Sequence, residues 1–224
     1  MNDFVLFVQF FSDSDPSNVS TSIKLMLLLT VLSLAPAILI LMTSFARIVI
    51  VLSFVRTALA TQQMPPNQVL VGLALFLTFF IMAPTFQEVN ETALAPLFAE
   101  EITLEEAYEQ ASIPFKEFMS QHTRQKDLEL FLRYNEAERP ETLEDIPLTM
   151  LVPAFALSEL KTAFQMGFMI FIPFLVIDMI VASVLMSMGM MMLPPVMISL
   201  PFKILLFVLV DGWYLIIKSL LQSF

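Results

Sequence analysis

Cysteine is absent from the 224 residues, histidine occurs once and glycine four times. Without cysteine there are no disulfides, thiolate metal sites or cysteine nucleophiles. The glycines lie at 72, 167, 189 and 212, so the G-x-x-x-x-G-K-[ST] phosphate loop cannot be formed. With His122 alone, a transition-metal site would need carboxylates for nearly all its ligands. No nucleophile motif accompanies His122 either, so a surface or helix-packing role is expected for it. An enzyme is not expected, and no cofactor is implied. Basic residues are also scarce: 11 against 21 acidic ones, a net charge of −10, which argues against nucleic acid as a partner.

Charge of either sign is scarce overall. Hydrophobic residues make up 58% of the chain and charged ones 14%, against about 45–50% and about 25% in soluble domains. The excess points to a membrane-associated protein. At the N-terminus, "MNDFVLFVQFFSDSDP" carries Asp3 where a secretion signal carries Lys or Arg, so a short apolar helix is expected there rather than a cleavable leader. Asn18-Val19-Ser20 matches the glycosylation sequon, a pattern short enough to arise by chance.

The charges divide the chain. Residues 88–145 hold fifteen of the 21 acidic side chains, five of the eleven basic ones and the histidine. The flanks are apolar. Residues 25–46 carry no charge, enough to span a hydrocarbon core that needs about 20 residues, and Pro36 is expected to kink them. Arg56 and "TQQMPPNQ" then form a turn at Pro65 and Pro66, followed by an uncharged stretch at 69–86. In the last zone, residues 162–192 are uncharged except for Asp178, with Pro173 expected to bend them, and residues 196–217 follow with Lys203 and Asp211.

The chain is therefore read as all-α, with two long kinked apolar helical hairpins flanking a mainly helical acidic region. The N-terminal segment covers 1–22, the first hairpin 23–87, the acidic region 88–147 and the second hairpin 148–224. In the acidic region Thr103 and Glu106 fit a capping box. The helix they open is expected to end at Pro114, with a second beginning at Phe115, Phe118 and Met119 and a third at Leu128, Phe131 and Leu132. "NEAERPETLEDIP" reads as a solvated loop. Arg47 and Arg56 place the 57–68 turn in the cytoplasm and the acidic region outside. Arg47, Asp178, Lys203 and Asp211 lie within or against apolar segments, where charges face protein or water rather than lipid. These helices are thus expected to be surrounded mainly by protein.

Two groups of residues stand out. Glu159 and Lys161 open the second apolar zone; either they mark an ordinary polar boundary, or Glu159 pairs with buried Lys203, within one chain or across subunits, because an unpaired buried charge costs several kcal/mol. The second group is "MGMMMLPP". Six of the twelve residues from Met186 to Met197 are methionine. Consecutive residues on a helix point about 100° apart, so Met190, Met191 and Met192 cannot share one packing stripe. Pro194 and Pro195 forbid helix continuation, making this a hairpin tip. Methionine is unbranched and adaptable, and the residues alone leave a deformable seal and plain packing equally open. Ser183 and Ser187 could allow close helix approach, a weak signal.

The segments "LMTSFARIVIVLSFVRTALATQQMPPNQVLVGLALFLTFFIMAP", "SELKTAFQMGFMIFIPFLVIDMIVASVLMSMGMMMLPP" and "LPFKILLFVLVDGW" resemble the FliP family of flagellar export-gate proteins, which has close relatives in virulence secretion systems. The resemblance implies an oligomeric subunit of a type III secretion gate in the bacterial cytoplasmic (inner) membrane, at the flagellar basal body. It further implies other FliP copies, five in the family, together with FliQ and FliR, export proteins such as FlhA and FlhB, unfolded flagellar substrates and membrane lipid as partners. A methionine gasket is implied at Met190, Met191 and Met192, and an assembly charge pair at Glu159 and Lys203. A virulence-type gate subunit, an autonomous solute transporter using the buried charges, and a scaffold that does not line the pore are the competing readings. The lack of an inverted repeat disfavours the transporter.

Overall fold

The computed structural model describes residues 40–224 apart from 62, 136–139, 141, 143, 144 and 191, with scattered positions between 23 and 38. The expected N-terminal helix, the Pro36 kink and Met191 lie outside the described residues. The chain divides into two compact units, 1–40 and 41–224. In the first, every described position is helical. The second is built from eight α-helices among the described residues, with no strand.

Helix α1 (Phe45–Ala58) is the centre of this unit. Ile48, Val51, Leu52 and Val55 recur at helical spacing and are fully buried. The uncharged stretch over 25–46 is interrupted at Met42–Ser44, just before α1. There the Phe45 N–H donates to the Thr43 hydroxyl at 3.4 Å, a local bond of the kind with which Ser and Thr compete with helix continuation. Met64-Pro65 is a cis bond, and Pro66, with an extended ψ of 150°, precedes helix α2 (Asn67–Val89). A π-helical turn (Asn90–Leu94) and the short α3 (Ala95–Phe98) continue it.

The acidic region follows the capping box: Glu106 N–H donates to Thr103 Oγ1 at 3.3 Å, and Thr103 N–H donates to Glu106 Oε2 at 2.7 Å. Helix α4 then runs from Leu104 to His122, straight through Pro114. The sequence expectation of a stop there is corrected. A proline costs about 3 kcal/mol in a helix interior, but Met119 is fully buried beyond it, with Phe115 and Phe118 packed against Leu151 and Phe155. That packing outweighs the local penalty. Helix α5 (Gln125–Tyr134) is the third expected helix.

Helix α6 (Leu148–Ser187) has 40 residues and contains Pro153 and Pro173 without ending at either. At 1.5 Å per residue it is about 60 Å long. Its end is a full Schellman motif: Gly189 at φ +74° donates to Met186 O, and the Met190 N–H donates to Leu185 O, both at 3.0 Å. Pro195 opens helix α7 (Pro195–Leu209), where its missing N–H costs nothing. Asp211, in the left-handed region, joins α7 to α8 (Gly212–Leu221) with a 62° bend.

One core joins α1, α2, α6, α7 and α8; the second joins α4 to the start of α6. Two described stretches, Asn67–Phe98 and Leu148–Ser187, are long and apolar enough to cross a membrane, and a third exists if α7 and α8 act as one bent span. Large apolar side chains face outward along them, among them Phe76, Phe79, Phe80, Phe164, Phe168 and Met169.

Candidate functional site: buried charge pairs and a methionine tip

Two ion pairs hold four of the charges of the apolar zones. Arg47, on α1, is buried against Glu159, on α6. Its Nε donates to Glu159 Oε2 at 2.8 Å and its Nη2 to Oε1, a bidentate fork. Its remaining amino group donates to Ser223 O at 2.7 Å and to Ser223 Oγ at 3.0 Å. The guanidinium also lies over the Phe224 ring, 3.8 Å from its centroid, a cation–π contact. That ring packs in turn on Phe118 and His122 of α4.

The second pair is Lys203 Nζ with Asp178 Oδ2, 2.6 Å apart, and the Ser199 hydroxyl donates to the other Asp178 oxygen. Lys203 and Ser199 sit on α7 and Asp178 on α6, so the pair fastens the second hairpin. The expected Glu159–Lys203 pair is thus replaced within the chain by two others. Helix α1, inserted beside α6, supplies Glu159 with a nearer cation. Arg56, Asp178 and Lys203 share the lining of a cavity of about 350 Å³. Asp211 is exposed at the α7–α8 bend.

A third polar cluster was not expected. Asp127 is buried, accepts from the Ser158 hydroxyl at 2.6 Å and is paired with Arg124 Nη2 at 2.5 Å. The Arg124 N–H donates back to Ser158 Oγ at 3.0 Å. Ser199 and Ser223 were also missed. For Ser199 a signal existed: it lies four residues before Lys203, on the same helix face. Among the described residues, no group of three His, Asp or Glu side chains is placed to hold a metal.

At the tip, Met190 is 44% exposed and Met192 99%. Met186, Met188 and Met197 are exposed around them. Pro65 and Pro66 lie at the first hairpin's turn; Pro194 and Pro195 follow the methionines at the second.

Outward apolar helices with neutralised charges inside define an all-helical membrane protein. The FliP family model matches residues 28–220. The chain is 77% identical to the flagellar biosynthetic protein FliP of Bacillus subtilis over the whole of both chains. It is 56% identical to that of Caulobacter vibrioides over 90% of this chain and 76% of the relative. Against the Aquifex aeolicus protein it is 51% identical, over 92% and 87%. The chain belongs to the FliP family, the flagellar biosynthetic proteins of protein export.

Proposed function

We propose that the chain is a core subunit of the flagellar type III export gate in the bacterial cytoplasmic membrane. Several copies assemble with FliQ and FliR, alongside FlhA and FlhB, around a conduit for unfolded flagellar proteins. Met190, Met191 and Met192 close that conduit. The observation that carries this reading is the exposure of the methionine tip. A Schellman cap fixes the end of α6, and beyond it Met192 is 99% exposed, unpacked among the described residues. Unbranched thioether side chains on such a tip can conform to one another when idle and to varied polypeptide in transit. Arg47 with Glu159 and Lys203 with Asp178 are paired within the chain, which favours a conduit built between subunits over a solute site inside one.

The test is ion leakage through the assembled gate in liposomes or cells. Deleting Met190–Met192 is expected to raise leakage at least tenfold while assembly with FliQ and FliR persists. Unchanged leakage from a fully assembled deletion variant rejects the sealing role.

A further inference from the structure

Helices α2 and α4 each carry a proline in their interior, and both prolines line one cavity. Pro84 of α2 and Pro114 of α4 border a space of about 460 Å³, which Leu221 and Phe224 complete. Phe86 and Phe115, whose rings meet edge to face with centroids 6.2 Å apart, hold the two helices side by side. The volume falls within the range of about 300–1,000 Å³ typical of small-ligand pockets.

The lining is rich in hydrogen-bond acceptors. Thr85 is 9% exposed and lines the cavity. Thr78 and Thr92, seven residues to either side, each donate their hydroxyl to the carbonyl one turn back, at 2.7 and 2.9 Å. The Thr85 hydroxyl makes no hydrogen bond among the described residues, so a buried polar group stands open to the cavity. Pro84 has no N–H, and the carbonyl of Phe80, one turn back, therefore lacks its helical donor. Two carboxylates, Glu88 of α2 and Glu117 of α4, lie at the exposed rim. His122, with a pKa of about 4, adds no positive charge to the wall at neutral pH.

These features select the ligand. A molecule that donates hydrogen bonds and carries positive charge satisfies the floor and the rim together. Between them stand aromatic walls: Phe80, and Phe118 stacked on Phe224 with centroids 6.1 Å apart. Ring faces are electron-rich and attract cations. A metal ion would leave these apolar walls unused, since hard cations take oxygen ligands on all sides. Among the described residues no three His, Asp or Glu side chains are placed to hold one. The lining thus alternates: polar floor, apolar wall, acidic rim. A run of methylenes with an ammonium group at each end matches that order.

We propose that this cavity binds an aliphatic di- or polyamine. One ammonium donates to Thr85 Oγ1 and Phe80 O, the methylenes lie along Phe118 and Phe224, and a second ammonium lies between Glu88 and Glu117. Because the acceptors come from both helices, an occupied cavity ties α2 to α4 and stiffens the acidic region against the apolar one.

Isothermal titration calorimetry of the full chain in a neutral detergent tests this, with spermidine as the probe and magnesium chloride at equal ionic strength as the comparison. Spermidine is expected to bind saturably and magnesium is not. Thr85→Val keeps the side-chain shape and removes the hydroxyl. It is expected to weaken spermidine about tenfold while the ligand-free thermal midpoint does not fall, a combination that a merely structural role for Thr85 would not give. The Glu88→Gln, Glu117→Gln double variant is expected to weaken spermidine by at least as much. Equal saturable binding of magnesium, or undiminished spermidine affinity in both variants, overturns the site. Arg139 lies outside the described residues; a tenfold gain in affinity in Arg139→Gln would make that side chain the occupant and overturn an outside ligand. Displacement of spermidine as copies self-associate would overturn a free amine as the source and assign the cavity to a basic side chain of a neighbouring copy.

Discussion

Arg47 concentrates three kinds of interaction in one buried side chain: a forked ion pair with Glu159, hydrogen bonds to Ser223 and a ring contact with Phe224. Desolvating two ions costs several kcal/mol each, and only such full satisfaction offsets it. Glu159→Gln is expected to lower stability by about 3–5 kcal/mol, read from chemical denaturation in detergent, because it strands the guanidinium. Replacing both partners, as Arg47→Met with Glu159→Leu, is expected to recover most of that loss. A double variant no better than additive would remove the pair from the account. His122 lies against the same arrangement. Burial among Phe118 and Phe224, with Arg47 nearby, pushes its pKa down from 6.5 to about 4. Between pH 6.5 and 4 the unfolded chain takes up the proton and the folded chain does not, so stability falls as pH drops through this window. For a partly exposed ring the loss is about 1–2 kcal/mol after solvent screening. His122→Phe is expected to flatten the dependence of the thermal midpoint on pH over that range; an unaltered slope would assign it to other groups.

At the scale of elements, the crossing of α1 and α6 depends on Gly167. A Cβ there would lie 2.5 Å from the Phe54 ring. Gly167→Ala is expected to cost about 1–3 kcal/mol by overpacking, and Phe54→Leu in the same chain to restore part of it. Calorimetry on the single and double variants checks this; a neutral Gly167→Ala would mean that the helices separate freely. Elements with local signals were legible in the sequence. Thr103 and Glu106 marked the start of α4, and the two proline pairs marked both turns, because caps and prolines act within a few residues. Pro114 misled for the complementary reason. Its penalty is local, whereas the compensating packing of Phe118 and Met119 comes from α6. The interruption at Met42–Ser44 carried no glycine or proline to announce it.

For the molecule as a whole, the sequence showed that charges in apolar segments need partners, but not which ones. Glu159 and Arg47 are 112 residues apart, and only the neighbourhood of α1 and α6 joins them. The methionine tip was legible as a place, since Pro194 and Pro195 had to stop a helix. The exposure of Met192 follows from the Schellman turn that ends α6 at Gly189. The same sequence separations bear on how the chain is made. At about 5–20 residues per second, Arg47 emerges roughly 6–22 s before Glu159 exists, given their separation of 112 residues. Asp178 waits about 1–5 s for Lys203, 25 residues later. A lone ion cannot rest in hydrocarbon for that time without large cost. Each ion pair can therefore close only once the later helix has been made, and the charge on the earlier one is offset within the chain from that moment.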